Sequence, residues 1–145
     1  MKKLDSAPRS LIFLLIIIPI MMTRASLPGQ SSSSASAAQG AVLVTNNLEL
    51  DFSKHKVTFI ELGADRCIPC KAMQPIMKEI AEEYAGKIQV IFYDVWKDPA
   101  PARKYAIQLI PTQVFIDQSG KEIFRHVGLF PKADILGMLK EKGIL

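Results

Sequence analysis

The chain has 145 residues, of which 49% are hydrophobic, and its formal net charge is +4. This length suits one domain better than two. Residues 1–25 contain four basic side chains and one acidic side chain, which leaves 14 basic and 13 acidic side chains over residues 26–145. That near balance argues against a basic patch for nucleic acid, and we expect no nucleic-acid partner.

Residues 1–25 have the layout of an export signal. Lys2, Lys3 and Arg9 precede the 12-residue apolar run LIFLLIIIPIMM at 11–22, and small residues follow it. This run is short of the roughly 20 residues that a membrane-spanning helix needs. We therefore predict a signal peptide, or alternatively an uncleaved membrane anchor, over residues 1–25. Either one implies export to a bacterial periplasm or cell envelope.

Residues 26–40 are rich in Ser, Ala and Gly and predict a flexible linker, so the folded domain is expected over residues 41–145. Within it, apolar patterns, glycines and prolines delimit the elements. In chain order we predict a short strand or turn within 41–50, a buried strand over 56–63, a helix over 67–84 and a strand over 88–95. A short helix opening at 98–101, a hairpin of strands over 112–116 and 121–127, and a helix over 132–142 follow. In this last helix Ile135, Leu136 and Leu139 are expected to point inward.

The longest predicted helix has one apolar stripe at three- and four-residue spacing. Pro75 should kink this helix, and Gly86 should end it as a C-cap. The alternation of strands and helices predicts an α/β domain with a central mixed β-sheet flanked by helices. The residues of the stripe are Met73, Met77, Ile80, Ala81 and Tyr84.

The two cysteines of the chain, Cys67 and Cys70, stand at the predicted junction of a strand and a helix. The first sulfur would lie near unpaired backbone N–H groups and the positive end of the helix dipole, which lower a thiol pKa. Cys70, one turn further in, would be shielded and able to attack a mixed disulfide on Cys67. Pro69 between them suits the start of a helix. We predict Cys67 as the nucleophile and Cys70 as the resolving residue of disulfide exchange.

Two other interpretations of this pair are open. A zinc site would need two further ligands, and neither His55 nor His126 has ligand spacing. An inert structural disulfide is the second alternative, but a bridge that closes so short a loop restrains the unfolded chain little. We predict no metal and no cofactor, since nucleotide and phosphate motifs are also absent from the sequence.

Two segments resemble the thioredoxin family: CIPCKAMQPIMKEIAEEYAGKIQV at 67–90 and YAIQLIPT at 105–112. The resemblance runs from about Val57 to the C-terminus and implies the thioredoxin fold. It implies that Pro111 follows a cis peptide bond and faces the active-site sulfurs. It also implies a substrate groove at Ile110 and Gly128, where an extended peptide could bind.

Three residues near the pair are expected to tune its redox properties. Arg66 stands where the family usually has tryptophan, and a cation beside Cys67 favours its thiolate or selects acidic partners. Ile68 replaces the glycine of the usual C-G-P-C motif, whereas Pro69 is retained. In the family this intervening dipeptide tunes the redox potential.

Glu61 stands where thioredoxins have a buried aspartate behind the second cysteine. The resemblance implies that its carboxyl relays a proton to or from Cys70 through water. The alternative is a solvated carboxylate at a strand edge, because glutamate is seldom fully buried. Phe92 replaces the lysine that thioredoxins pair with this acid.

Together these observations predict an exported thiol–disulfide oxidoreductase that reduces protein disulfides. The resemblance implies a membrane thiol transporter of the CcdA or DsbD type as electron donor, with cytochrome c maturation or envelope redox homeostasis as possible tasks. We expect a monomer. A dithiol oxidant that introduces disulfides, and a non-catalytic peptide-binding module, remain alternatives.

Overall fold

The computed structural model describes residues 40–145, so the predicted signal or anchor segment and residues 26–39 of the predicted linker lie outside the described residues. Every predicted element is found, and the stretch 41–50, predicted as a short strand or turn, contains a two-residue strand. A 3-10 turn at Phe52–Lys54 was not predicted. The elements are β1 (Leu43–Val44), β2 (Val57–Gly63), α1 (Ile68–Glu83), β3 (Ile88–Asp94), α2 (Ala100–Lys104), β4 (Thr112–Asp117), β5 (Glu122–Val127) and α3 (Lys132–Glu141).

The five strands form one mixed sheet in the order β1-β3-β2-β4-β5. β3 is parallel to β1 and β2, whereas β4 is antiparallel to β2 and β5. Every residue of β2 is buried, because this strand is central and both of its faces are covered. The predicted α/β architecture is therefore confirmed.

Each face of the sheet has its own apolar cluster. Because side chains alternate along a strand, Phe59, Glu61 and Gly63 of β2 point to one face, and Ile60 and Leu62 point to the other. Phe59 belongs to the cluster that includes the buried stripe of α1 and the buried side of α3. The Glu61 carboxyl is thus on the helix-covered face that also receives α1.

The apolar stripe of α1 is buried as predicted, apart from half-buried Tyr84, and Pro75 lies inside the helix. The C-cap is Tyr84, so the prediction that Gly86 caps the helix is wrong. The Tyr84 carbonyl accepts hydrogen bonds from the N–H groups of Lys87 and Ile88, at 2.9 and 3.0 Å. Gly86 supplies a left-handed backbone, with φ of 79°, inside the turn that these bonds close.

In α3, Ile135 and Leu139 are buried as predicted. Leu136, also predicted to point inward, is only half-buried, and Met138 is buried in its place. The reason is the helical period, because positions 135, 138 and 139 share one face and position 136 lies beside it. Among residues 40–145, the structure contains no helix with the length and apolar character needed to cross a membrane.

Candidate active site

Cys67 and Cys70 lie at the start of α1 and are joined by a disulfide, with an S–S distance of 2.18 Å. Cys67 is the N-cap residue of the helix, and its Sγ accepts a hydrogen bond of 3.3 Å from the backbone N–H of Cys70. A sulfur in this position receives an N–H donor and the positive end of the helix dipole. Both features stabilise a thiolate once the disulfide is reduced.

The two sulfur-bearing residues differ in accessibility. Cys67 is 8% exposed, whereas Cys70 is fully buried. Ile68 and Pro69, the first two residues of α1, are both exposed beside them. A reagent from solvent therefore reaches Cys67 before Cys70, which supports the predicted order of attack and resolution.

Gly63, the last residue of β2, is in close contact with Cys70. A Cβ atom placed on Gly63 would lie 3.2 Å from both Cβ and Sγ of Cys70, and 3.1 Å from Cε2 of Phe92. The absence of a side chain at this position thus allows the Cys70 sulfur to pack directly on the backbone of the central strand. In the sequence this glycine is visible as a strand end, but its packing role is not.

Glu61 is fully buried in the middle of β2, so the alternative of a solvated carboxylate at a strand edge is wrong. Its Oε2 accepts a hydrogen bond of 2.9 Å from Nε2 of Gln113. Its Oε1 is buried and makes no hydrogen bond within residues 40–145. Burial raises the pKa of Glu61 to about 8, although the Gln113 hydrogen bond opposes this shift.

The carboxyl and the Cys70 sulfur lie on the same side of the sheet. Glu61 and Gly63 are two residues apart on β2 and therefore point to the same face, where Gly63 adjoins Cys70. Phe92 is the register partner of Glu61 on β3 and contributes no charge. With a pKa of about 8, the acid is mostly neutral at pH 7, and its ionised fraction grows as the pH rises toward 8. Its role as a proton relay stays a prediction.

The loop before β4 packs against the disulfide. The Ile110–Pro111 peptide bond is cis, as the resemblance implies, and Ile110 packs against the cluster formed by Ala64 and the two cysteines. The N–H of Gly128 donates a hydrogen bond of 2.8 Å to the carbonyl of Pro111. The structure thus brings the three residues of the predicted groove together beside the disulfide.

Gln113 is a site residue that was not predicted from the sequence. Its Nε2 donates one hydrogen bond to Glu61 and a second, of 3.0 Å, to the carbonyl oxygen of Gly128. Two signals could have indicated it: an amide inside the apolar strand 112–116, and an antiparallel register that places it opposite Glu61. It connects the buried carboxyl to the predicted substrate groove.

The loop that carries Arg66 is fixed to the end of β3. The Asp94 carboxylate accepts a hydrogen bond of 3.2 Å from the N–H of Asp65, and Lys97 forms ion pairs with both Asp65 and Asp94. Arg66 itself is exposed and takes part in none of the ion pairs formed by residues 40–145. Its charge is therefore available to Cys67 or to an acidic partner.

The two histidines of the zinc alternative lie on different elements. His55 follows the 3-10 turn, whereas His126 belongs to β5 and stacks on Phe130 with ring centroids 4.1 Å apart. In the part of the chain that the structure describes, no group of three or more His, Cys, Asp or Glu side chains could hold a metal ion. The cysteines themselves are paired with each other.

Comparison with known proteins gives a consistent result. The family model described as Thioredoxin matches residues 40–141. A thioredoxin from Staphylococcus aureus strain Mu50 is 32% identical over 83 residues, which cover 57% of this chain and 79% of that protein.

Solved structures show the same similarity. A single-substitution mutant of thioredoxin from Halobacterium salinarum NRC-1 superposes with a TM-score of 0.64 at 26% identity, covering 73% of this chain and 94% of the other. A thioredoxin from Malassezia sympodialis gives a TM-score of 0.60 at 26% identity, covering 71% and 91%.

Proposed function

The chain belongs to the thioredoxin family and is a thiol–disulfide oxidoreductase, and we propose that it acts outside the cytoplasm as a reductase of protein disulfides. The observation that carries the exchange activity is the Cys67–Cys70 pair, with the buried carboxyl of Glu61 on the sheet face that receives Cys70. In its ionised form this carboxyl can take the Cys70 proton, and so it speeds the step that turns the dithiol into the disulfide. A base speeds the reverse step as well, so the net direction is set by the reduction potential of the pair, and the similarity to thioredoxins supports a reducing value.

The proposed reaction has two exchanges. The Cys67 thiolate attacks one sulfur of the substrate disulfide, and the other substrate sulfur leaves as a thiolate that takes a proton from solvent. Cys70 then loses its proton to Glu61 and attacks the Cys67 sulfur. The second substrate sulfur leaves with the bonding electron pair, so the substrate is reduced to a dithiol and the Cys67–Cys70 pair is oxidised.

The surface around the pair supports a protein substrate. Exposed apolar side chains adjoin the site residues in the sequence: Ile68 is 82% exposed beside Cys67, and Leu109 is 66% exposed beside Ile110. Val127 and Leu129 flank Gly128 and are about half exposed. Exposed apolar side chains next to site residues suit contact with a polypeptide substrate.

Export is supported by the charged start, short apolar run and small residues of positions 1–25. A reductase outside the cytoplasm needs an electron source, and a membrane thiol transporter of the CcdA or DsbD type would supply it. Keeping apocytochrome cysteines reduced, or envelope redox homeostasis more broadly, is the task that we propose.

Export is testable with the full chain fused to alkaline phosphatase, which is active only where its disulfides form. We expect phosphatase activity in bacterial cells carrying the fusion, and loss of it when residues 1–25 are removed. Equal activity with and without those residues would contradict export by this segment. Mass spectrometry of the mature protein distinguishes a cleaved signal from a retained anchor.

The redox direction is testable by equilibrating the Cys67–Cys70 couple with glutathione. We expect a reduction potential near that of thioredoxin, at about −270 mV. The exposed Arg66 cation beside Cys67 favours the alternative of a dithiol oxidant, since it stabilises the reduced form. A potential near about −120 mV, shifted toward more negative values by Arg66→Ala, would establish that alternative and contradict the reductase.

A further inference from the structure

The orientation of the Gln113 side-chain amide is fixed by its two hydrogen bonds. Nε2 lies 2.9 Å from Oε2 of Glu61 and 3.0 Å from the carbonyl oxygen of Gly128. A backbone carbonyl can only accept hydrogen bonds, so the NH₂ group of Gln113, and not its own Oε1, has to face the Gly128 carbonyl. The same NH₂ group then directs its second hydrogen at Glu61.

This orientation makes the two oxygens of the Glu61 carboxyl unequal. Oε2 accepts an N–H from Gln113 and cannot direct a proton of its own toward the same group. Oε1 is buried and makes no hydrogen bond with any part of the chain from residue 40 onward. When Glu61 is neutral, its proton is therefore carried by Oε1.

We propose that Gln113 is a positioning residue for proton transfer, holding Oε2 of Glu61 as an acceptor so that Oε1 exchanges the proton of Cys70. This inference rests on the proposed relay role of Glu61. During resolution the S–H bond of Cys70 breaks, an O–H bond forms at Oε1, and the Cys70 sulfur attacks the Cys67 sulfur. The substrate sulfur then leaves with the electron pair of the mixed disulfide.

Gln113 also raises the fraction of Glu61 that is ionised and can act as a base. Its N–H group donates to a carboxylate more strongly than to a neutral carboxyl, so it stabilises the charged form of Glu61 against the effect of burial. The same amide holds the Gly128 carbonyl beside Pro111. One side chain thus aligns both the base and one wall of the predicted groove.

Other titratable groups lie on this side of the sheet and have to be separated from Glu61. They are Cys70 on α1, Asp94 of β3, in register with Gly63, and His126 of β5, in register with Gln113. Burial alone would raise the pKa of Asp94, but hydrogen bonds from backbone N–H groups and Lys97 lower it below its ordinary value. Asp94 is therefore already ionised over the pH range in which Glu61 titrates. A His126→Gln variant controls for the imidazole.

The test measures the resolving step directly in the full-length protein. Reduced protein reacts with a symmetrical aryl disulfide, 5,5′-dithiobis(2-nitrobenzoate), to form a mixed disulfide on Cys67. Attack by Cys70 then releases the second thionitrobenzoate, which is followed by absorbance between pH 6 and 10. The variant is Gln113→Met, which is similar in length but donates no hydrogen bond.

We expect Gln113→Met to slow this release about tenfold at pH 7 and to recover toward the wild-type rate at high pH. The profile should move up by about one pH unit, because a hydrogen bond to a charged group is lost. In a Glu61→Gln background the same substitution should leave the profile unmoved, and His126→Gln should retain the wild-type midpoint. A uniform loss of rate at every pH, or an equal loss in the Glu61→Gln background, would overturn the proposal.

A second measurement needs no variant. In the oxidised wild-type protein, the side-chain amide resonances of Gln113 should titrate with the same midpoint as the Glu61 carboxyl carbon in NMR spectra. Amide resonances that stay constant through the Glu61 titration would overturn the proposal. Neither the thionitrobenzoate release nor the NMR titration depends on the net redox direction. An oxidising reduction potential would therefore refute the proposed reductase function and leave the proposed role of Gln113 unaffected.

Discussion

Replacing Cys67 with serine is expected to reduce disulfide reductase activity to background, whereas replacing Cys70 with serine should trap substrates. Without the Cys67 sulfur no mixed disulfide can form, because a serine hydroxyl cannot take its place in an S–S bond. Without Cys70 the first attack still occurs, but nothing within the protein resolves its product. Turnover of insulin disulfides with dithiothreitol as reductant measures the first effect, and non-reducing electrophoresis measures the second.

The matched pair of variants separates catalysis from mere binding. Cys70→Ser should accumulate mixed disulfides through Cys67, and their partners can be identified by mass spectrometry from cells that express the full chain. Cys67→Ser, which loses the same disulfide, is the control and should capture none. If neither variant captured a partner, and both bound the same proteins non-covalently, the non-catalytic peptide-binding alternative would replace exchange.

Replacing Glu61 with glutamine is expected to stabilise the oxidised protein, and the gain should grow with pH. The folded-state pKa of Glu61 is about 8, whereas its ordinary value is 4.5, so between these limits the folded state binds a proton that the unfolded state has released. The stability of the wild-type protein therefore falls as pH rises through this window, by up to ~1.4 kcal/mol per pH unit. Below the window, where both states are protonated, the two proteins should differ little.

Chemical denaturation of both proteins at several pH values between about 4.5 and 8 measures this difference. Glutamine has the shape of the neutral acid, and its amide oxygen can accept the Gln113 hydrogen bond. Glu141→Gln, at an exposed carboxylate near the end of α3, is the control and should show no such slope. A stability difference that does not change with pH, or that shrinks as pH rises, would show that Glu61 is ionised in the folded protein.

The order of elements and the cysteine pair could be predicted from sequence because their signals are local. Apolar periodicity, a glycine at a strand end and the C-x-x-C spacing all lie within a few residues of one another. The location of Glu61 within a strand could also be predicted, since this residue lies inside a continuous apolar segment. Its burial could not be decided until β2 was seen between β3 and β4.

What the sequence did not reveal depends on contacts between distant segments. Gln113 and Glu61 are 52 residues apart and meet only through the register of β2 and β4. The contact of Gly63 with Cys70 likewise depends on how closely α1 approaches the sheet. Neither distance nor register is encoded in a local pattern, so the hydrogen-bond partner of the acid and the packing of the inner sulfur had to come from the structure.

Catalysis by this protein depends on a Cys67 sulfur that attacks as a thiolate while Cys70 stays shielded behind it. Alkylation of the reduced protein with iodoacetamide across a range of pH, with each cysteine followed by peptide mass spectrometry, tests this most directly. We predict that Cys67 reacts first, with an apparent pKa below the about 8.5 of a free cysteine, and that Cys70 remains unmodified. Equal labelling of both residues, or a Cys67 that titrates like a free thiol, would contradict the account.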